Sequence, residues 1–329
     1  MMNVISKQKG LSIVELMIAL LLGLVVTGAV VQVFANNKQM YRMQDANARL
    51  QENGRYAIHT IAEKIRKAGF KGCVTRSKGG NMVSTLNTPT GYLYDFSTSI
   101  EGARATGTNT WSPALHSSIV NALTGNDVLT IRYTDGPMIK VVDHPITSPT
   151  GSANLTVDTG NGLVQNDIVL VSNCETSRVF QITSANPSTT GVIAHAASGT
   201  MPGNATATLG KIYANGEIIK LQTVSFYIRN NADGIPTLWQ VIGSAPPEEV
   251  IEGVENLDIE YGIDTDGDTA VDNYVTADIA SADWDQVNSV RVTLDVRTLE
   301  DNIIVDTTAT NTYLTAQFSR TISLRNNVP

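Results

Sequence analysis

A long apolar run near the N-terminus predicts a membrane-spanning helix. Residues 16–37 contain no charged side chain. At about 1.5 Å per residue this run forms a helix of roughly 33 Å, which is long enough to cross a bilayer. Lys7 and Lys9 flank its start, and the first ten residues contain no acid. This asymmetry predicts a cytoplasmic N-terminus, so the rest of the chain is expected outside the inner membrane.

The helical period of apolar residues continues beyond this run. One face is formed by residues with i, i+3, i+4, i+7 spacing, namely Ile58, Ile61, Ala62 and Ile65. We expect this face to dock on a globular domain. Gly54 interrupts the pattern and suggests a bend, and the glycines within residues 68–73 predict the end of the helix. The helix is thus divided into an apolar part, residues 11–37, and an amphipathic part, residues 38–69.

From residue 74 onwards Thr, Asn, Gly and Ser dominate, and short β-rich runs alternate with turns. The predicted strands are residues 128–133, 167–172, 178–183, 212–214, 217–221, 224–229, 238–242, 257–263, 287–296 and 318–324. Asn215-Gly216 favours a type I′ hairpin between 212–214 and 217–221. Residues 75–115 read as a poorly patterned loop. The fold class is therefore α+β, with a long N-terminal helix packed on a mostly antiparallel sheet in residues 70–329.

A glycine, Gly10, stands directly before the apolar helix, and a lone glutamate, Glu15, follows five residues later. A carboxylate at the edge of an apolar run is costly in lipid unless something pairs with it. A secretory signal peptide would carry its cleavage site after the apolar core instead. A simple signal anchor would need neither Gly10 nor Glu15 in this register.

This arrangement resembles the prepilin signal of type IV pilins and of type II secretion pseudopilins. The resemblance implies that residues 1–10 are a leader, which a prepilin peptidase removes between Gly10 and Leu11. It further implies methylation of Leu11 at its new N-terminus. Glu15 is then expected to pair with the N-terminal amine of a neighbouring subunit during assembly.

Further segments resemble the PilW family of minor type IV pilins. They are LQENGRY at 50–56, AGFKGC at 68–73, VSNC at 171–174, GVENL at 253–257, YGIDTDGD at 261–268 and ISLRNN at 322–327. The resemblance implies a low-abundance subunit near the pilus tip that primes assembly. Its implied partners are other minor pilins, the major pilin, the prepilin peptidase, the inner-membrane assembly platform and a tip adhesin of the PilY type.

Two other functions stay open at this point. A J-type pseudopilin of a type II secretion system would share the leader, the helix and the sheet, although the acidic loop and the LRN tail favour the pilus. A membrane-anchored binding protein that never polymerises would retain residues 1–10 and would not need Glu15. In all cases the expected location is the inner membrane, with a single pass and a periplasmic C-terminal domain, followed for a pilin by the pilus.

Charge and cysteine content narrow the alternatives. The 329-residue chain has a formal net charge of −8 and no basic patch, so no nucleic-acid partner is expected. Its two cysteines, Cys73 and Cys174, are expected to form one disulfide outside the cytoplasm. The alternative is two separate buried thiols. Neither cysteine has a Cys or His beside it at metal-ligand spacing.

The acidic segment 264–272 carries Asp264, Asp266, Asp268 and Asp272 at relative positions 1, 3, 5 and 9. Ca²⁺ prefers several oxygen ligands on a flexible loop, so this spacing suggests a Ca²⁺ site. It departs from the EF-hand loop, because the glycine is at position 4 and position 12 is a valine. The alternative is a polar turn around Asp266-Gly267 that joins a strand ending at Ile263 to another at 274–275.

The chain is not expected to be an enzyme. Its four histidines are isolated in sequence, and the common metalloprotease, hydrolase and phosphate-binding motifs do not occur. The three tryptophans are interpreted as core or interface residues and not as a sugar-binding site.

Overall fold

The computed structural model describes residues 10, 12–73, 82–146, 148, 151–280, 283–301, 303 and 313–326. The helix α1 spans Ile13–Lys67, a length of 55 residues. Ser12 caps its N-terminus. At the C-terminus the N–H of Ala68 bonds to the carbonyl of Ile65. The side chain of Asn326 donates to the carbonyl of Ala68 at 2.8 Å, so the chain's tail satisfies a helix end that lacks an intrahelical partner.

The remaining elements are mostly strands. They are β1 (Met82–Ser84), β2 (Ile100–Gly107), β3 (Thr110–Ser112), β4 (Val128–Asp143), β5 (Leu155–Val157), β6 (Ile168–Ser172), β7 (Ser177–Gln181), β8 (Val192–Ile193), β9 (Glu217–Asn230), β10 (Pro236–Ile242), β11 (Glu248–Glu252), β12 (Val254–Ile263), β13 (Asn273–Val275), β14 (Val287–Arg297) and β15 (Thr315–Ser323). Two short helices, α2 (Pro187–Thr190) and α3 (Ala277–Ala280), and a 3-10 turn (Trp284–Gln286) lie between them.

These strands form two sheets over the described residues. The large sheet has eleven strands with the order β1-β7-β6-β9-β4-β2-β3, to which β10 and β11 add beside β9, and β5 and β8 beside β4. The small sheet has the order β13-β12-β14-β15. Only the β1–β7 pair among these described strands is parallel. The fold is α+β with a long N-terminal helix on a mostly antiparallel β domain, as the sequence predicts.

The C-terminal half of α1 packs on both sheets. Its buried residues are Leu50, Gly54, Ala57, Ile58, Ile61, Ala62 and Ile65, which include the whole predicted apolar face. They join one core cluster with residues of β4, β9, β12 and β14. α1 continues through Gly54 without a break. A Cβ atom at this position would lie 2.1 Å from Cε2 of Phe318 on β15, so the absent side chain makes room for that ring.

Two adjacent side chains at the start of β4 connect the sheets. The side-chain oxygen of Asn126 accepts from the backbone N–H of Leu257 at 2.9 Å. The Asp127 carboxylate accepts from the N–H of Ile259 at 3.0 Å. Because β12 pairs with β14 on its other edge, these bonds satisfy backbone donors that no strand reaches, as buried N–H groups require.

Cys73 and Cys174 form a disulfide that joins positions 101 residues apart. It ties the segment after α1 to the turn between β6 and β7. Gly72 next to it has a φ of +77°, and a Cβ there would lie 2.5 Å from the Cβ of Ser172. The expected disulfide is therefore present, and the alternative of two separate thiols is wrong.

Two sequence predictions fail in the large sheet. Residues 212–214 form no strand, and Asn215-Gly216 docks on β4, since Asn215 donates to the Val141 carbonyl and Val141 donates to that of Gly216. A type I′ turn needs positive φ at both central residues, and only Asn215 has it, at 63°. The region 75–115 is not simply a loop, because it contributes β1, β2 and β3.

Candidate assembly site and acidic loop

The N-terminal half of α1 stands clear of the globular domain. Its apolar side chains are exposed throughout, from Ile13 at 80% to Phe34 at 74%. Within the described residues, α1 is the one helix long and apolar enough to cross a membrane, and none of its most apolar stretch is buried. A surface of this kind is stable only in lipid or against other apolar helices.

Ser12 and Glu15 form a reciprocal capping box at the start of α1. The backbone N–H of Glu15 donates to Oγ of Ser12 at 3.2 Å, and the N–H of Ser12 donates to Oε2 of Glu15 at 3.1 Å. The Glu15 carboxylate therefore satisfies its own helix end in the single subunit. This second role escaped the sequence interpretation, although the S-x-x-E spacing before an apolar run signals it.

The structure describes one of the two residues at the expected cleavage bond. Gly10 is exposed, and a Cβ built on it would meet no atom within 4 Å. Leu11 lies outside the described residues, as do residues 1–9 of the expected leader. The Gly10 side of the bond is thus open to solvent.

A small groove marks the point where α1 meets the globular domain. Gln39 donates to the carbonyl of Ile303 at 2.9 Å, and Arg42 lies 3.7 Å from Glu300. Between α1 and residues 297–300 lies a cavity of about 260 Å³. These contacts begin directly after the uncharged run, so they define the position along α1 at which the globular domain starts to contact the helix.

The acidic segment forms the turn between β12 and β13. Carboxylate oxygens of Asp264, Asp266 and Asp268 lie within 4.8 Å of one another. Asp264 accepts from the N–H groups of Gly267 at 2.7 Å and Thr269 at 2.9 Å. The polar-turn interpretation is therefore confirmed, and the three carboxylates converge in addition.

The fourth predicted ligand, Asp272, is outside that group of three. Its Oδ2 accepts from the N–H of Thr265 at 2.8 Å. Hydrogen bonds from the Thr265 hydroxyl and N–H lower the pKa of Asp272. Three converging carboxylates are hard oxygen donors that suit Ca²⁺, but Ca²⁺ takes six to eight oxygens, so backbone carbonyls and water would have to complete the shell.

The histidines do not assemble into a site with acids or cysteines. His59 is exposed on α1, and His116 stacks on Tyr92 with ring centroids 4.5 Å apart. His144 and His195 are buried with ring centroids 6.4 Å apart, and burial lowers the pKa of both. Over the described ranges, the acidic turn is the single group of three or more His, Cys, Asp or Glu residues that could hold a metal ion.

Comparison with known families gives two matches. Residues 225–326 match the family described as Type IV Pilus-assembly protein W, and residues 5–31 match the prokaryotic N-terminal methylation motif. No curated protein and no solved structure matches the chain. The two matches support a type IV pilus-related minor pilin with a membrane-anchoring N-terminal segment, and the resemblance to the PilW family is confirmed.

The two matched ranges lie toward opposite ends of the chain. The methylation motif covers Gly10, Glu15 and most of the exposed part of α1. The range 225–326 runs from the end of β9 to the tail residue that caps α1, and it contains the whole small sheet. The matched family is one of pilus-assembly proteins, and neither match points to catalytic activity.

Proposed function

We propose that this chain is a minor type IV pilin that helps to initiate pilus assembly, in a priming complex with other minor pilins at the pilus tip. The observation that carries the proposal is the division of α1. One half is an exposed apolar helix that carries a methylation motif and has no charge over residues 16–37, and the other half is docked on a domain that matches a pilus-assembly family. Such a subunit can leave the bilayer only if other apolar helices replace the lipid.

The mechanism is non-covalent assembly after processing. The prepilin peptidase cuts between Gly10 and Leu11 and methylates Leu11, and the subunit stays in the inner membrane with its globular domain in the periplasm. The apolar half of α1 then bundles with helices of other minor pilins and the major pilin at the assembly platform. Glu15 neutralises the N-terminal amine of a neighbour, and a PilY-type adhesin completes the tip.

A deletion strain tests this function against its closest rival. Pili sheared from cells and proteins secreted into the medium are compared between the deletion strain and its parent. Sparse or absent pili with normal secretion, restored by the gene in trans, are the expected result. Normal pili with secreted proteins trapped in the periplasm would instead identify a J-type pseudopilin.

Processing separates the proposal from a membrane-anchored binding protein that never polymerises. The substitution Gly10→Ala should leave the leader attached, because the peptidase no longer recognises its cleavage site. Intact-mass measurement of the protein purified from membranes reads this out directly. A wild-type protein that also retains residues 1–10 would contradict the pilin proposal.

A further inference from the structure

A crevice of about 720 Å³ opens in the large sheet where β9 changes its neighbour. On this edge β9 pairs with β6 up to Lys220 and with β10 from Val224 onwards. No described strand covers the three residues between these points. The loops at residues 93–96 and 196–202 form the sides of the opening. The crevice is therefore formed by an uncovered stretch of β9 and by two loops.

An ion pair lies in the wall of this crevice. Nζ of Lys220 is 2.7 Å from Oδ1 of Asp167, whose side chain is 8% exposed. The second carboxylate oxygen accepts from the N–H of Val164 at 3.0 Å. These two residues carry the only charges among the lining residues, so the crevice has no net formal charge. It consequently offers no electrostatic attraction to a charged polymer.

Amide and hydroxyl side chains supply about half of the remaining lining. The Tyr133 hydroxyl donates to the amide oxygen of Gln222 at 2.8 Å, so the amide nitrogen of Gln222 points away from Tyr133. Among the described residues, the side chains of Asn166 and Ser244 have no hydrogen-bond partner, and both are exposed at the rim. Tyr94 adds a half-buried aromatic ring. Polar side chains and one aromatic residue thus line the same crevice.

We propose that this crevice binds a short, uncharged oligosaccharide. Sugar hydroxyls donate and accept hydrogen bonds, which matches the mixture of amides, hydroxyls and a neutral ion pair. Most of the polar lining side chains already bond within the protein, so the rim side chains of Asn166 and Ser244 are the groups that a sugar hydroxyl can pair with directly. The volume lies within the range of about 300–1,000 Å³ that is usual for small-molecule sites.

The site is independent of the assembly function. None of its lining residues lies on α1, and most of them lie outside the matched range 225–326. A subunit that fails to prime pili can therefore still bind sugar, and a subunit that binds no sugar can still assemble. Each of the two proposals can therefore be refuted without refuting the other.

The probe is a printed array of neutral and acidic oligosaccharides, applied to the full-length chain in detergent micelles. The best neutral hit is then titrated by calorimetry. Asn166→Gly removes a rim amide without backbone strain, because Asn166 has a φ of 72° that glycine tolerates. Asn121→Gly is the matched control, with a φ of 58° and a position outside the crevice. Ser244→Trp places a large ring at the mouth.

We expect saturable binding of at least one neutral oligosaccharide. Asn166→Gly should raise the Kd about fivefold to tenfold through the lost hydrogen bonds. Ser244→Trp should abolish binding, and Asn121→Gly should leave it unchanged. The proposal is overturned by an array without neutral hits, by binding confined to acidic sugars, or by binding that both crevice variants leave intact.

Discussion

Asp127 is almost fully buried between the two sheets, at 5% exposure. Burial raises its pKa from 3.8 to about 6, against the opposing effect of the bond from Ile259. Between pH 4 and 6 the Asp127 carboxyl group therefore binds a proton more readily in the folded protein than in the unfolded chain. Its contribution to stability increases as the pH falls through that range, by up to about 2–3 kcal/mol. We expect Asp127→Asn to remove this dependence, since the amide oxygen still accepts from Ile259.

The measurement is thermal unfolding of the full-length protein in micelles from pH 7.5 to 4.5. The informative quantity is the difference in Tm between wild type and variant. His144 and His195 act in the opposite direction, because their lowered pKa makes the folded state lose stability as the pH falls below about 6.5. Asp158→Asn, at an exposed position, is the control. A difference that does not change with pH would contradict the assignment.

The acidic turn gives a second prediction at the residue scale. Ca²⁺ at about 10 mM should raise the stability of the full-length protein by about 1.4–2.7 kcal/mol if Asp264, Asp266 and Asp268 share the ion with a Kd of about 0.1–1 mM. Asp268→Asn should abolish the effect, because its amide oxygen keeps the bond from Ala270 while the charge is lost. Calorimetry and thermal shift check this.

The matched control for the calcium experiment is Asp233→Asn, an exposed aspartate in a turn outside the acidic cluster. It should respond to Ca²⁺ as the wild type does. Absence of heat and of any thermal shift at millimolar Ca²⁺ would refute the site and leave only the polar turn.

At the scale of elements, the contact between α1 and β15 depends on one glycine. Replacement of a glycine by alanine inside a helix, as in Gly54→Ala, normally stabilises the helix by about 1 kcal/mol. Here the new methyl would overlap the ring of Phe318, and overpacking costs about 1–3 kcal/mol. We therefore expect net destabilisation of the globular domain, measured as a lower Tm or denaturant midpoint.

Gly28→Ala is the matched control, because no atom lies within 4 Å of a Cβ built there. It should leave the unfolding of the globular domain unchanged. In a double-mutant cycle, Phe318→Leu should recover part of the loss caused by Gly54→Ala, since the two residues share one space. Additive effects would show that the helix and the strand do not press on each other at this point.

The sequence predicted the elements that local pattern determines. The period of 3.6 along α1 and the apolar runs of β4, β6, β9, β12 and β14 are visible without tertiary information. β2 was missed because Gly102, Ala103 and Ala105 carry little β propensity, and its pairing with β4 forms the strand. The predicted hairpin at 212–221 does not form, because Tyr213 is fully buried in the core and the turn that follows it bonds to β4.

The same distinction between local sequence pattern and tertiary contact applies to the candidate sites. The cysteine pair and the converging aspartates could be predicted, because each depends on residue type and spacing. The crevice beside β9 could not, since it arises where two strands that are distant in sequence leave the same edge uncovered. The absence of Asp272 from the acidic cluster was equally hidden, because Thr265 holds its carboxylate within the turn.

At the scale of the whole molecule, the exposed half of α1 is joined to the globular domain through the docked half of the same helix. The docked half is fixed by its buried face, by Asn326 at its end and by the disulfide directly after it. In the chain-entropy description, a loop of this length stabilises the fold by up to about 4–5 kcal/mol.

The last prediction separates the two roles of Glu15 in assembly. Glu15→Ala removes both the charge and the capping bond to Ser12, so its effect alone is ambiguous. Glu15→Gln keeps an acceptor for the Ser12 N–H and loses only the charge. Ser12→Ala keeps the charge and loses an acceptor, at a cost of about 1 kcal/mol in the helix. If charge neutralisation drives incorporation, Glu15→Gln should reduce sheared pili as strongly as Glu15→Ala.

Ser12→Ala should then assemble nearly as the wild type does, and all three variants should reach the membrane fraction in equal amounts, because insertion depends on the apolar run. Immunoblots of sheared pili and of membranes measure both quantities. The reverse order, with Glu15→Gln normal and Ser12→Ala defective, would mean that the carboxylate serves the helix end of its own subunit. Pairing with a neighbour's amine would then not be the reason for a charge at this position.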